Sequence, residues 1–281
     1  MSQQLEGFRV ALKKEANNRS ERMSSEGASE MKATQSSEAL PNGFEHAAAV
    51  LCHVRPENRI VGCGEKYEFG AEKFRFLRHR LAQLRLHRPV SILITSSVPK
   101  EGKTLVAINL AASLASSSRR VALFDIDLRH PSVQTALGLP GLAGLAEFLE
   151  GKAALESVVR RVEPLGFYYL PAGKASGNPF ELLEGSRMRE LMARATTAFE
   201  WVVMDSPPLI PFADAHQLAV LADAVLIVAR PGLTPRDSLR QALSTLESVQ
   251  IAGIVLNAND DKSHDRYYYH YYPRGSTNGN G

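Results

Sequence analysis

The sequence has very few cysteines and none of the spacings that build cross-linked or zinc-bound domains. Cys52 and Cys63 are the only two in 281 residues, and no CxxC or Cys/His cluster occurs. Because disulfide scaffolds and structural zinc sites need such clusters, the cysteine content argues against both. The fold must therefore depend on an apolar core, and a chain with 44% hydrophobic residues is long enough to form one.

Long apolar runs and a strong charge of either sign are also missing. Runs such as Ala224–Ala229 have the length of a strand, whereas a membrane-spanning helix needs about 20 apolar residues. The first 19 residues are polar and mixed in charge, unlike a secretory signal. The net charge of +3 gives no global indication of nucleic-acid binding. We expect a cytoplasmic protein that binds no nucleic acid, and any association with a membrane would have to come through a partner.

Composition divides the chain into three parts. Residues 1–65 are rich in Ser, Glu, Asn and Ala and are predicted to be disordered. Residues 66–260 alternate apolar and amphipathic segments and are predicted to form the folded domain. Residues 261–281 are predicted to be a flexible, tyrosine-rich tail.

The folded part reads as strands that alternate with helices. An amphipathic helix is predicted from Ala71 to about His87, because Phe74, Leu77, Leu81 and Leu84 share one face. The predicted strands are Val90–Thr95, Val121–Asp125, Phe167–Leu170, Trp201–Met204, Ala224–Ala229 and Ile251–Asn257. The later predicted helices are Thr104–Ser116, Pro179–Ala198, Asp214–Leu221 and Pro235–Val249. Continuous apolar strands alternating with helices indicate an α/β fold whose mostly parallel central sheet has helices on both faces. A ligand of such a fold binds at the carboxyl ends of the strands.

A phosphate-binding loop follows the strand that begins at Val90. The segment SSVPKEGKT matches the GxxxxGK[ST] pattern, except that Ser97 stands in place of the first glycine. Gly102 allows close approach of the backbone, Lys103 reaches the β- and γ-phosphates, and Thr104 offers a hydroxyl to Mg²⁺. The alternative is a Gly-Lys-Thr turn that caps an ordinary helix. The residues predicted to contact the nucleotide here are Ser97, Pro99, Lys100, Glu101, Gly102, Lys103, Thr104 and Leu105.

Three aspartates follow the ends of two other predicted strands. Asp125 and Asp127 come after the strand that begins at Val121, and Asp205 follows a fully apolar strand and precedes two prolines. A lone DxD is a weak signal, and an aspartate in this position can also cap a helix. Their order after the phosphate loop favours a magnesium–phosphate site, with Asp205 as the Walker B carboxylate. Thr104, Asp127 and Asp205 are the predicted metal ligands.

Several segments together resemble the bacterial tyrosine kinases of capsular and exopolysaccharide export. They are SSVPKEGKT, LFDIDLRHP, LPAGKASGNPFELLEGSRM, VVMDSPP and GIVLN. That family shares its P-loop NTPase fold with the septum-site and plasmid-partition ATPases. The resemblance implies ATP and Mg²⁺ as cofactors and Lys103 as a catalytic residue, with Asp127, or else Asp125, accepting a proton. It also makes Asn257 a candidate adenine contact, with a structural turn as the alternative.

Two further features favour the kinases over the partition ATPases. Val98 occupies the position of the extra intersubunit lysine of those ATPases, five residues before Lys103. The kinases end in a tyrosine cluster, and an aromatic run occurs here between charged and glycine-rich residues. A buried strand is the alternative for this run, whereas Tyr168 and Tyr169 are predicted to be packing residues. The predicted phosphate acceptors are Tyr267, Tyr268, Tyr269, Tyr271 and Tyr272.

The resemblance also implies partners. An ExxRxxR pattern mediates ring assembly in the family, and Glu72, Arg75 and Arg78 match it. The alternative is a solvated helix face, where such charges contribute little. The family further implies phosphorylation between neighbours in a homo-oligomeric ring. It implies a separate activator as well, a membrane-embedded co-polymerase that controls polysaccharide chain length.

The function predicted from these motifs is transfer of the ATP γ-phosphoryl group to the protein's own tyrosines. The proposed role is regulation of exopolysaccharide polymerisation and export. Two alternatives stay open at this point. One is an ATPase switch of the partition or septum-site type. The other is a nucleotide-dependent scaffold of the export machinery without catalytic activity.

Overall fold

The fold is built around one sheet of eight strands. The structure is a computed structural model, and it describes residues 43–44, 46–61, 68–84, 90–117, 120–246 and 248–258. The strands are β1 (Ala48–Leu51), β2 (Val90–Ser96), β3 (Val121–Asp125), β4 (Arg160–Glu163), β5 (Phe167–Leu170), β6 (Trp201–Asp205), β7 (Ala224–Ala229) and β8 (Ile251–Leu256). The helices are α1 (Glu68–Gln83), α2 (Lys103–Ala115), α3 (Val133–Ala136), α4 (Leu145–Leu149), α5 (Leu155–Val158), α6 (Pro179–Glu184), α7 (Ser186–Ala198), α8 (Asp214–Leu221) and α9 (Arg236–Ser244).

The strand order is β1-β4-β5-β3-β6-β2-β7-β8. All neighbouring strands are parallel except β4 and β5, which are antiparallel. Every residue of β2, β3, β6 and β7 is buried, as expected of parallel strands covered on both faces. The predicted α/β fold with a mostly parallel sheet and helices on both faces is confirmed.

An apolar layer lies on each face of the sheet. On one face, side chains of α1 and α2 pack against β2, β3 and β6. On the other face, side chains of α4, α5, α7 and α8 pack against the same strands. This arrangement fixes the central strands from both sides, so their carboxyl ends form a rigid edge on which a site can be built. In the described part of the chain, no helix has the length and apolarity needed to cross a membrane.

Helix α1 confirms the predicted amphipathic face. Leu81 is buried, and Phe74, Leu77 and Leu84 pack against the layer formed with α2. Its bounds differ from the prediction, since it begins three residues before Ala71 and ends at Gln83.

The prediction of disorder as far as residue 65 is wrong for residues 46–61. Strand β1 pairs in parallel with β4, and the buried side chain of Ile60 packs in the layer formed with α1 and α2. Shortly before β1, Phe44 is buried against Phe199, and the two ring centroids are 4.8 Å apart. This segment is held by one short strand and by the two buried side chains of Phe44 and Ile60. So few contacts produce no periodic pattern in the sequence. Residues 1–42 and the tail from residue 259 onward lie outside the described residues.

The predicted helix from Pro179 to Ala198 is two helices. Gly185 separates α6 from α7 with an extended backbone, and Asn178 caps α6 by accepting a hydrogen bond from the N–H of Phe180. The short elements β4, α3, α4 and α5 were not predicted, because segments of four or five residues carry too little periodicity.

Candidate nucleotide-binding and active site

The candidate site lies where β2, β3 and β6 end. Asp125 is the direct cross-strand partner of Asp205, and Asp205 is also paired with Ile94 near the end of β2. The register therefore brings two carboxylates and the start of the phosphate loop to the same edge. This is the edge at which ligands bind in parallel α/β sheets.

The phosphate loop occupies residues 97–102, between β2 and α2. Lys100 and Gly102 have positive φ angles of 68° and 92°, which curl the backbone before the helix begins. The positive φ of Gly102 favours glycine, and a Cβ at this position would also displace the side-chain amide of Asn257. The first N–H groups of α2 have no partner within the helix and lie at its positive end. The arrangement suits a bound phosphate.

Ser97 and Glu101, both predicted to contact the nucleotide, form a hydrogen bond with each other. Ser97 is buried, and its hydroxyl donates to the equally buried Glu101 carboxylate at 3.2 Å. The N–H of Val98 donates to the same carboxylate at 2.9 Å. The side chains of Ser97 and Glu101 thus close the loop internally and leave its backbone for a ligand. Pro99 and Lys100 are exposed.

Lys103 stands among the carboxylates of the site. Its Nζ lies 3.2 Å from Asp127 Oδ2, and the N–H of His130 donates to the other Asp127 oxygen at 2.9 Å. Burial lowers the pKa of Lys103, but Asp205, Asp127 and Asp125 raise it, and the net direction is upward. Lys103 therefore carries its full charge at neutral pH.

Asp205 and Thr104 are joined directly. The Thr104 hydroxyl donates to Asp205 Oδ2 at 2.7 Å and lies 2.7 Å from the hydroxyl of Ser132. Burial raises the pKa of Asp205 from 3.8 to about 6, although Lys103 and the Thr104 hydroxyl act in the opposite direction. Ser132 is a site residue that the motifs do not predict. Its position five residues after Asp127 is the one feature of the sequence that points to it.

Asp125, like Asp205, is fully buried. Its Oδ2 accepts the N–H of Val133 at 3.2 Å. Burial and the nearby carboxylates of Asp205 and Asp127 raise its pKa well above the ordinary value of 3.8. Among the described residues, neither Asp125 Oδ1 nor Asp205 Oδ1 has a hydrogen-bond partner. Two unpartnered carboxylate oxygens beside a threonine hydroxyl are the donor set that Mg²⁺ prefers, so these residues fit a magnesium ion.

The raised pKa of Asp205 predicts a pH-dependent effect of Asp205→Asn on stability. An acid whose pKa is higher in the folded state favours folding below its unfolded pKa and loses that contribution as pH rises through about 6. Without metal or nucleotide, the Asn variant should therefore be more stable at pH 7.5, by up to about 3 kcal/mol. The gain should shrink as pH falls towards 4. Chemical denaturation across this pH range measures it.

The matched control is Asp237→Asn, which changes a carboxylate that is 94% exposed. It should alter the free energy of unfolding by no more than about 0.5 kcal/mol at either pH. Equal stability of wild type and Asp205→Asn at pH 7.5 would contradict the electrostatic description of the site.

An ion pair that was not predicted connects two loops of the site. Arg129 donates to both carboxylate oxygens of the buried Asp214, with Nε 2.6 Å from Oδ2 and Nη2 3.2 Å from Oδ1. The guanidinium also lies over the ring of Phe212, 5.1 Å from its centroid. The pair ties the loop that carries Asp127 to the start of α8, beyond Asp205. Arg129 lies within LFDIDLRHP, but its partner is too distant in sequence to predict.

The structure places Asn257 against the phosphate loop. Its Nδ2 donates to the carbonyl of Glu101 at 2.9 Å and lies beside Gly102. The side chain thus contacts the loop backbone at the end of β8. Its predicted contact with adenine stays a prediction.

The predicted assembly residues lie along α1. Glu72 and Arg75 form an exposed ion pair one turn apart. Arg78 instead donates to the carbonyl of Ser113 at 2.6 Å, near the end of α2. Arg78 therefore has a role within its own chain.

The predicted acceptor tyrosines, Tyr267 to Tyr272, lie outside the described residues. Tyr169 is buried and Tyr168 packs against Phe199, as expected of packing residues.

Comparison with known proteins agrees with this geometry. The family model of the CobQ/CobB/MinD/ParA nucleotide binding domain matches residues 92–273. Tyrosine-protein kinase YwqD of Bacillus subtilis is 32% identical over 220 residues, which are 77% of this chain and 92% of that protein. The chain belongs to the bacterial tyrosine-protein kinases. The resemblance predicted from the motifs is thus confirmed, and with it the nucleotide-binding superfamily.

A longer relative and a solved structure also match this chain. The succinoglycan biosynthesis transport protein ExoP of Rhizobium meliloti is 35% identical over 181 residues, which are 63% of this chain but only 23% of ExoP. The solved kinase domain of Escherichia coli tyrosine kinase ETK has 32% identity and a TM-score of 0.63, and the match covers 66% of this chain and 74% of that one. The matched part of the longer family members is therefore the domain described here.

Proposed function

We propose that the protein is an ATP-dependent tyrosine kinase that phosphorylates the tyrosines of its own tail. The observation that carries this proposal is the position of Lys103. It lies at the start of α2, behind a phosphate loop, and its ammonium contacts Asp127 among three buried carboxylates. Membership of the tyrosine kinase family supports the proposal, in which the five tail tyrosines would be the acceptors. Residues 43–258 form the catalytic part in this proposal.

The proposed cofactors are ATP and Mg²⁺. Backbone groups of residues 97–104 would bind the phosphates, and Asn257 remains the candidate adenine contact. Thr104 and Asp205, with Asp127 or Asp125, would hold the metal. When bound, the ion would neutralise charge that develops on the phosphate oxygens. The unpartnered oxygens of Asp125 and Asp205 support this assignment.

Phosphoryl transfer needs positioned charges more than a strong base. Lys103 would neutralise the β- and γ-phosphates, which requires it to exchange its bond to Asp127 for one to the nucleotide. The carboxylate of Asp127, freed in this way, would accept the phenolic proton as the tyrosine oxygen attacks phosphorus. Asp125 is the weaker candidate, because the ion pair with Lys103 is formed by Asp127.

We further propose that transfer occurs between neighbouring subunits of a ring. The ExxRxxR match on α1 supports this, because its Glu72 and Arg75 are exposed and paired only with each other in the described interactions. The proposed setting is the cytoplasmic side of the membrane. A separate membrane-embedded co-polymerase would recruit and activate the kinase there, and the reaction would regulate exopolysaccharide polymerisation and export. The similarity to ExoP, a succinoglycan biosynthesis transport protein, supports such a setting.

A mixing experiment tests transfer between subunits. A Lys103→Met chain keeps its tyrosines, and a chain truncated after Arg266 keeps its active site. We expect phosphotyrosine on the Lys103→Met chain when the two are mixed with Mg-ATP, because the truncated neighbour supplies the catalytic residues. Absence of transfer, while wild-type protein phosphorylates itself, would contradict the ring.

Arg75→Ala in the truncated chain should reduce this transfer and shift the protein towards monomer. If the residue meets a neighbour in a desolvated contact, its loss leaves Glu72 unpaired there, at a cost of roughly 2–5 kcal/mol. Light scattering measures the mass of the assembly. Arg194→Ala, which removes a similar helical ion pair with Glu190 on α7, is the matched control. Arg78 is not the variant to use, because its bond to Ser113 makes a folding effect inseparable from an assembly effect.

A further inference from the structure

A threonine far from the sequence motifs contacts the inside of the phosphate loop. Thr234 lies in the segment between β7 and α9, and its hydroxyl donates to the carboxylate of Glu101. The same hydroxyl accepts the N–H of Arg230 at 2.7 Å, which fixes its direction. The side chain of Thr234 therefore links the β7–α9 segment to the loop that precedes α2.

Glu101 needs such a donor because of where it lies. It is a fully buried carboxylate in a loop whose backbone is arranged to bind an anion. A buried charge without sufficient hydrogen bonds is costly, and its repulsion would also oppose a bound phosphate. Three donors compensate its charge: the Ser97 hydroxyl and the Val98 N–H from the loop itself, and the Thr234 hydroxyl from outside it.

The loop is also held at its backbone. On one side, Asn257 Nδ2 donates to the Glu101 carbonyl at 2.9 Å. On the other side, the N–H groups of Leu209 and Ile210 donate to the carbonyls of Ser96 and Ser97 at 2.8 and 3.2 Å. Among the described residues outside the loop, Thr234 is the one whose side chain bonds the Glu101 carboxylate.

We propose that Thr234 is a positioning residue for the nucleotide, acting through Glu101. By holding the carboxylate away from the phosphates, it keeps the curvature of residues 97–102 ready for binding. Ser97, which replaces the usual first glycine, has the same role, because its hydroxyl is the second side-chain donor to the Glu101 carboxylate. This inference rests on the proposed nucleotide site and adds a determinant of its affinity.

The test compares Thr234→Val with Thr234→Ser. Valine keeps the shape and loses the hydroxyl, so the Kd for Mg-ATP should rise by about tenfold or more, as for loss of a bond to a charged group. The effect should fall on KM for ATP more than on kcat, and serine should restore most of the affinity. Thr245→Val is the matched control and should bind as the wild type does, because among the described residues the Thr245 hydroxyl bonds only the Ala242 carbonyl.

A second comparison separates this route from a general loosening of the β7–α9 segment. In a Glu101→Ala background, Thr234→Val should weaken binding by less than about twofold, because the acceptor is already gone. An undiminished effect in that background, or unchanged affinity of Thr234→Val alone, would overturn the inference. Wild-type protein that binds no Mg-ATP would instead overturn the proposed nucleotide site itself. Melting temperatures without nucleotide show that each variant is folded.

Discussion

Lys103→Met should reduce tyrosine phosphorylation by about 100-fold or more and greatly weaken ATP binding. In the proposed function, the Lys103 ammonium is the cation that would contact the β- and γ-phosphates, and its raised pKa keeps it charged. Removal of one such charge from a preorganised site lowers rates by about 10²–10³-fold. Its loss also leaves Asp125, Asp127 and Asp205 without their nearest positive charge, which opposes a bound nucleotide further.

Immunodetection of phosphotyrosine and calorimetric titration with Mg-ATP measure the two effects. Lys152→Met is the matched control, because that lysine is exposed and pairs with Glu150 away from the phosphate loop. It should leave both quantities within about twofold of wild type, as expected of a surface ion pair. Full phosphorylation of Lys103→Met would mean that the loop is not the catalytic site.

Truncation after Arg266 should remove most phosphotyrosine and leave ATP binding unchanged. The five proposed acceptors follow Arg266 in the sequence, whereas the phosphate loop, the carboxylates and Asn257 all precede it. Binding should therefore be separable from phosphorylation. A variant with all five tyrosines changed to Phe should behave in the same way, which removes any effect of chain length.

Mass spectrometry and titration with Mg-ATP measure the two properties in parallel. Unchanged phosphotyrosine after truncation would place the acceptor elsewhere. Tyr168 would then be the first alternative, since it is only partly buried, whereas Tyr169 is fully enclosed.

Much of the fold could be predicted because the central strands are apolar on both faces. The bounds of β3, β5, β7 and α8 agree with the predictions to the residue. The unpredicted strands are β1 and β4, at one side of the sheet. Their burial is incomplete, and they are held largely by backbone pairing with each other and with β5. Backbone pairing leaves little trace in the side-chain pattern, so the sequence does not reveal that the folded part begins before residue 66.

The site could be predicted only where its residues are close in sequence. Gly102, Lys103 and Thr104 are adjacent, and Asp125 and Asp205 end strands that the pattern identifies. The contacts that hold these parts together join distant segments. Thr234 reaches Glu101 across 133 residues, and Asp214 reaches Arg129 across 85. No spacing rule connects such pairs, because strand order determines them.

The electrostatics of the site also follow from its place in the fold. The register of β3 and β6 sets Asp125 opposite Asp205, and burial then raises the pKa of both. Such a cluster opposes folding at neutral pH and favours binding of cations. Asp205→Asn is therefore expected to stabilise the fold while removing a carboxylate that the proposed function needs, which is the usual trade-off between stability and activity.

The most direct test of the central claim is mass spectrometry of the purified protein after incubation with Mg-ATP. We expect phosphate on one or more of the tyrosines from Tyr267 to Tyr272 in the wild type, and none on Lys103→Met incubated alone. Conversion of ATP to ADP without any phosphotyrosine would instead identify an ATPase switch. Binding of ATP with neither reaction would identify a scaffold, and either of these results would contradict the kinase assignment.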